Sequence, residues 1–278
     1  MSQHLFTNVN VLDCTDGEPF AGEVRVEGNE ITAIARDGES LDRAGAEVHD
    51  GEGRMTLMPG LIESHAHLSI DNTDDLAALG RMPPEEHTLL TMHNARLYLD
   101  HGITSCISAA SAKPRLDVVI RNAIEKGEIP GPRLLAATPW LTVTGGLGDM
   151  RTLHMPKVDS MALMADGPEE YRRLARELIR EGVDIIKLVI SGDSFVPHAG
   201  SETTIMSEAE VAAAADARAH PRPPATALVD VTTRHPPSTH ARNHSTRLSS
   251  SARASSVVTI LDASSTASAS PRAHLDTK

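Results

Sequence analysis

Two histidines one residue apart, His65 and His67, close a run that begins Met58-Pro59-Gly60-Leu61-Ile62-Glu63-Ser64. In a strand over 61–68 side chains alternate between faces, so both imidazoles point the same way. Two imidazoles on one face at a strand end supply half of a metal site. The plain alternative is a pair of partly exposed histidines in a turn, and the His-x-His spacing by itself does not decide between them. The Pro-Gly entry, the apolar run and the position after a β-rich leader favour the metal. The second candidate is Lys187, set inside Asp184-Ile185-Ile186-Lys187-Leu188-Val189-Ile190-Ser191-Gly192-Asp193. An ammonium buried among aliphatic side chains is costly unless it is paired or neutralised. Lys187 therefore either faces solvent at a strand edge, pairs with a nearby acid, or is chemically changed.

The elements that must position these residues fall into two patterns. Residues 5–12, 22–26 and 31–35 read as short strands, with Glu27-Gly28-Asn29-Glu30 as a hairpin signal; 47–49 and 55–58 add two more. No chemistry is expected there. From Pro59 onward strands alternate with helices, the mark of a parallel α/β architecture. A polar loop is expected over 71–81. A helix then starts at Pro83-Pro84-Glu85-Glu86, with proline in its first turn and acids at its positive end, and stops at His101-Gly102. Residues 103–109 form the next strand, and Leu116, Val119, Ile120, Ala123 and Ile124 the next helical stripe. A third strand is expected over 133–143, followed by the loop Thr144-Gly145-Gly146-Leu147-Gly148-Asp149, which lacks the spacing of a nucleotide cradle. Tyr171, Leu174, Ala175, Leu178 and Ile179 make 169–181 a clear amphipathic helix. Ser207, with Glu208 and Glu210 behind it, caps a further helix over 207–218.

The stretch MPGLIESHAHL resembles the first barrel strand of the amidohydrolase superfamily, metal-dependent hydrolases built on a (β/α)8 barrel with a small flanking β-sandwich. Lys187 stands where the binuclear branch, which includes imidazolonepropionase, Xaa-Pro dipeptidase-like and aryl-amide or urea hydrolases, carries a lysine on its fourth strand. The resemblance implies that carbon dioxide carboxylates Lys187 and that the carbamate bridges two divalent metals. These are zinc most often, with manganese or iron as alternatives, and His65 and His67 are further ligands. It implies hydrolysis of a small-molecule amide-like C–N bond (peptide, N-acyl, aryl-amide, urea or carbamate) by a metal-activated hydroxide, with Lys187 in the catalytic centre. The glycine-rich loop resembles the Thr-Gly-Gly-His-Gly loop of the same enzymes, with Leu147 in place of the histidine. A mononuclear deaminase or chlorohydrolase-like member, with a structural Lys187, and a non-catalytic half-barrel are the alternatives. His154 and His198 lie in loops and rank below the three main candidates.

Composition sets the outer bounds. The chain has 278 residues, 40% hydrophobic but only 2% aromatic, so its core is aliphatic. A formal net charge of −12 argues against nucleic acid, because phosphate binding wants a basic face. No apolar stretch is long enough to span a membrane, and no signal peptide is visible at the start. Cys14 and Cys106 are isolated, which suits a reducing cytoplasm. Oligomeric state is left open. After residue 218 the pattern changes. Residues 219–278 hold seven Lys/Arg and three Asp/Glu, against 19 and 35 in the rest, and are rich in Ser, Thr, Pro and His. The expected organisation is 1–58 as part of a β-sandwich, 59–218 as about four βα units of a partial barrel, and 219–278 as an irregular, low-complexity tail. An out-of-frame translation of a GC-rich gene gives such a composition, and so does a disordered tail. His220, His235, His240, His244 and His274 read as accidents of that composition. The family's ligands on the fifth and sixth strands, and its eighth-strand aspartate, have no matching positions, so little or no turnover is expected of the chain as it stands.

Overall fold

The computed structural model describes residues 2–15, 17–73, 75–149, 151, 153–154, 161–192, 198–217, 227–230 and 258–262. The chain forms two compact units that divide between Gly60 and Leu61.

The N-terminal unit is a five-stranded sheet in the order β12-β4-β1-β2-β3. Its strands are β1 (Gln3–Val11), β2 (Phe20–Glu27), β3 (Glu30–Arg36), β4 (Glu47–Pro59) and, from far along the chain, β12 (Val258–Asp262). β1 pairs antiparallel with β2 and parallel with β4. Alternation puts Val9, Val11, Val24, Val26 and Leu57 on one buried face, with Phe6, Phe20 and Met55 packed against them. The two strands expected over 47–49 and 55–58 are one strand, β4, whose register with β1 jumps from Asp50 to Met55. Glu52 and Gly53, both at positive φ, let the intervening residues leave the ladder.

The second unit alternates strands and helices. In order these are β5 (Leu61–Ala66), α1 (Leu76–Arg81), α2 (Pro84–Asp100), β6 (Ile103–Ser108), α3 (Leu116–Glu125), β7 (Arg133–Leu135), β8 (Trp140–Thr142), β9 (Ala162–Met164), α4 (Pro168–Arg180), β10 (Ile186–Val189), α5 (Glu208–Asp216) and β11 (Ala227–Asp230). β5 pairs with β6, β6 with β7, β8 with β9 and β10, and β10 with β11, every pair parallel. A parallel bridge between Ala137 and Ile185 joins the two groups. Helices cover one face: Ala66, Cys106 and Leu134 pack with Ala95 of α2 and Ile120 of α3. Leu141, Ile186 and Leu188 pack with Tyr171, Ala175 and Leu178 of α4 and with Ala213 and Ala214 of α5.

Three expectations change. The polar loop over 71–81 contains a helical turn, α1, whose first free N–H groups are capped by Asp75 accepting from Ala78 N at 3.1 Å. The single strand over 133–143 is split. Between β7 and β8 the Thr138 hydroxyl, not a backbone carbonyl, accepts the Lys187 N–H at 2.9 Å, which breaks the regular ladder. Two strands lie within 219–278. β11 is an aliphatic Ala-Leu-Val run in register with the Lys187 strand, and β12 a Val-Thr-Ile-Leu run against β4. Both are too short to show a period amid serine and arginine. The tail histidines His220, His235, His240, His244 and His274, and Asp193, lie outside the described residues.

Candidate active site

The His65–His67 strand is aimed by what lies on its other face. Ala66 is fully buried against the helices, so its neighbours His65 and His67 project from the opposite face. Their rings meet edge to face with centroids 5.2 Å apart. Glu63, on the same face, accepts the His65 backbone N–H at 2.8 Å. Beyond the strand the chain is pinned from α2: His87 Nε2 donates to Ser69 O at 2.6 Å, and Asn94 Nδ2 to Leu68 O at 2.9 Å. His87 is fully buried, and that burial holds its pKa below the ordinary histidine value.

Lys187 is positioned by the same logic. Ile186 and Leu188 pack under α4 and α5, so Lys187 projects from the face turned away from the helices, yet it is only 2% exposed. The start of its strand is fixed by Asp184. The Asp184 carboxylate accepts the Ala136 N–H at 2.8 Å and also binds Arg121, and its own N–H donates to Ala136 O at 2.7 Å.

A row of contacts at the C-terminal ends of the strands joins the two. The Ala109 N–H donates to Ala66 O at 2.8 Å, and His67 Nδ1 lies 3.2 Å from Ala110 O. The Ser111 N–H donates to Thr138 O at 3.0 Å, and Thr138 in turn accepts the Lys187 N–H. Trp140, at the start of β8, presents its ring edge-on to His67 at 6.4 Å. The strand ends that carry His65, His67 and Lys187 are thus linked by one row of hydrogen bonds. Below that row, Asp117 is fully buried at the start of α3. It accepts a 2.5 Å hydrogen bond from Ser108 Oγ, and burial drives its carboxyl pKa up, opposed by hydrogen bonds from Ser108, Ser111 and Ser69.

These residues fit a divalent cation. A carbonyl only accepts, so His67 Nδ1 carries the proton toward Ala110 O, which leaves Nε2 as a lone-pair donor. A carboxylated Lys187 would turn a buried amine into an oxygen donor. The glycine-rich loop follows β8 at the same strand ends. At Gly148, which has φ +87°, a Cβ would lie 2.7 Å from Ala162 Cβ and 3.1 Å from the Trp140 ring, so the loop closes over that tryptophan. His198 Nε2 bonds Gly145 O at 2.8 Å, which places His198 on this loop, while His154 is exposed. Sequence reasoning missed Trp140, His87 and Asp117. His87 and Thr91, both fully buried and four residues apart on α2, carried a signal as polar residues on an inward stripe; Trp140 and Asp117 carried none.

Residues 56–230 match the family described as the amidohydrolase family. An ochratoxinase from Aspergillus niger is 28% identical over 196 residues, 64% of this chain and 40% of that protein. A prolidase crystallised with N-methylphosphonate-L-proline superimposes with a TM-score of 0.66 at 27% identity, covering 78% of this chain and 53% of that one. The crystal structure of an amidohydrolase gives 0.68 at 28% identity over the same shares. The chain thus spans about half, or less, of the relatives it matches.

Proposed function

Because the chain belongs to the amidohydrolase family, we propose that it is built for metal-dependent hydrolysis of an amide-like C–N bond, on the first part of a (β/α)8 barrel. His65, His67 and a carboxylated Lys187 would hold divalent cations, two zinc ions in this reading. The observation that carries this reading is Lys187, 2% exposed in an aliphatic strand. Bound there, divalent cations would supply Lewis acidity toward the substrate carbonyl and lower the pKa of a water.

The chain's own residues do the positioning. Ala110 O fixes the tautomer of His67, Trp140 limits its tilt, and His87 and Asn94 hold the loop beyond it. Asp184 and Thr138 fix the height of Lys187 against the third strand. The glycine-rich loop and His198 stand at the edge where a substrate would enter. The proposed substrate class is an N-acyl amino acid or dipeptide, by analogy with the N-methylphosphonate-L-proline bound to the matched prolidase.

The test is metal analysis joined to turnover. The full chain is loaded with zinc or manganese in bicarbonate and screened on N-acyl amino acids, dipeptides and aryl ureas. Two metal equivalents that need bicarbonate and Lys187 support the reading. One equivalent, indifferent to bicarbonate and to Lys187→Ala, overturns the binuclear assignment.

A further inference from the structure

The N-terminal unit carries a second group of metal-ligating side chains, brought together by strand pairing alone. In the parallel β1–β4 ladder His4 lies opposite Glu47, and Glu47 and His49 are two residues apart on β4, so all three share a face. His4 Nδ1 is 3.1 Å from His49 Nε2 and 3.5 Å from Glu47 Oε2, and His49 Nε2 is 4.0 Å from Glu47 Oε1. One ligand atom from each lies within 4.8 Å of the others. A tetrahedral zinc ion with bonds of about 2.0–2.1 Å sets donor–donor edges of about 3.3 Å. Two of the observed edges are already near that length, and the third closes by turning a carboxylate whose side chain is 68% exposed. The rings are held in place: Phe6 stacks on His49 at 4.9 Å, and His4 on His49 at 5.3 Å.

A surface ion pair accounts for a glutamate beside one histidine. One proton shared between them accounts for two ring nitrogens at 3.1 Å; a cation would instead take both lone pairs and the carboxylate at once, which gathers all three side chains into one site. Two imidazoles and one carboxylate select zinc, copper or nickel over magnesium or calcium. We propose that His4, Glu47 and His49 form a transition-metal site of the zinc class that staples β1 to β4, with its remaining coordination left to water. The inference does not depend on the function proposed for the other unit.

The test is zinc titration of the metal-stripped full chain by calorimetry, with cobalt absorption as a second probe. In a His65→Ala/His67→Ala background the chain is expected to bind one zinc with micromolar affinity, and that zinc raises the melting temperature. Adding Glu47→Gln weakens binding at least ten-fold, and adding His49→Gln abolishes it. In the otherwise unaltered chain His49→Gln, at a half-buried position, lowers the zinc stoichiometry by one without changing the circular dichroism spectrum. No zinc bound below millimolar concentration in the double variant, or binding indifferent to both Glu47→Gln and His49→Gln, overturns the proposal.

Discussion

Among the described residues two histidine pairs stand on strands or at a strand end, and they differ in what lies beneath them. His65 and His67 stand on a strand whose other face is sealed by Ala66 against helices, and their companion Lys187 is buried. His4 and His49, both half-buried, stand beside Glu47 on a sheet whose other face is sealed on one strand only: Leu5 is fully buried, while Val48 opposite it is 44% exposed. The first pair is backed by a packed core and hydrogen-bonded loops, the second by Leu5, a ladder register and the stacked Phe6 ring. The same side chains serve different ends in these settings. The packed core fixes the backbone that carries His65 and His67, although His65 itself is exposed, while the partly exposed support of the second pair permits binding with little cost to the fold if it is lost.

Substituting Lys187 tests the contrast most severely. Lys187→Met keeps the length and apolar stem but removes the amine. It is expected to abolish the second, bicarbonate-dependent metal equivalent while the chain still unfolds cooperatively, since the apolar stem that packs in the strand is kept. Differential scanning calorimetry and metal analysis check both halves. His49→Gln should leave that equivalent unchanged. Should Lys187→Met keep it, or His49→Gln also lose it, the difference between the two clusters disappears.

The support beneath each cluster comes next. Leu188→Ala, at a position 2% exposed, should cost about 2–5 kcal/mol because the core of α4 and α5 cannot collapse fully around the void. Val48→Ala, beside the surface cluster, should change stability by no more than about 0.5 kcal/mol. Urea unfolding of both variants reads the difference directly.

The contrast also explains what the sequence revealed. The strand at 61–68, the helices near 84–100 and 169–181 and the buried position of Lys187 were legible because each rests on a local period or on one charge in an apolar run. The amidohydrolase motif was legible for the same reason, as its residues are contiguous. The split of 133–143 was hidden, because it depends on the Thr138 hydroxyl reaching a strand almost fifty residues away. The cluster on β1 and β4 was hidden as well. His4 is far in sequence from Glu47 and His49, and only the β1–β4 register brings them together, so a reading by local pattern assigned no chemistry to 4–57. The strand at 227–230 was masked by the composition around it, three aliphatic residues in a stretch of proline, threonine and arginine.

Two buried groups behind the first pair should give its unit opposite pH slopes. Burial lowers the His87 pKa from its ordinary 6.5, so the stability held by the neutral ring is present above about that pH and lost as pH falls below it. Burial raises the Asp117 pKa, so the stability held by its protonated carboxyl is complete below the ordinary carboxylate range and lost as pH rises through the folded value. His87→Gln should therefore flatten the acid side of the stability profile, and Asp117→Asn the side toward neutral pH. Chemical denaturation at several pH values resolves the two. Parallel profiles for both variants and the original chain would show that these groups do not titrate with folding.

The smallest effect is expected at the start of α5, where a capping box joins two helices. Ser207 Oγ accepts the Glu210 N–H at 3.4 Å, and the Glu210 carboxylate accepts the Ser207 N–H at 2.8 Å and the Gly167 N–H at 2.8 Å. The last bond reaches the N-cap of α4, so a single glutamate ties together the two helices that cover the Lys187 strand. Ser207→Ala leaves that tie in place and removes only the serine's half of the box. It should cost about 0.5–2 kcal/mol, less than Leu188→Ala, and leave metal content unchanged. Glu210→Ala removes both the cap and the tie and should cost more. If the two variants prove equal in urea unfolding, the helices are held over the Lys187 strand by their apolar faces alone, and the glutamate bridge to Gly167 adds nothing to its support.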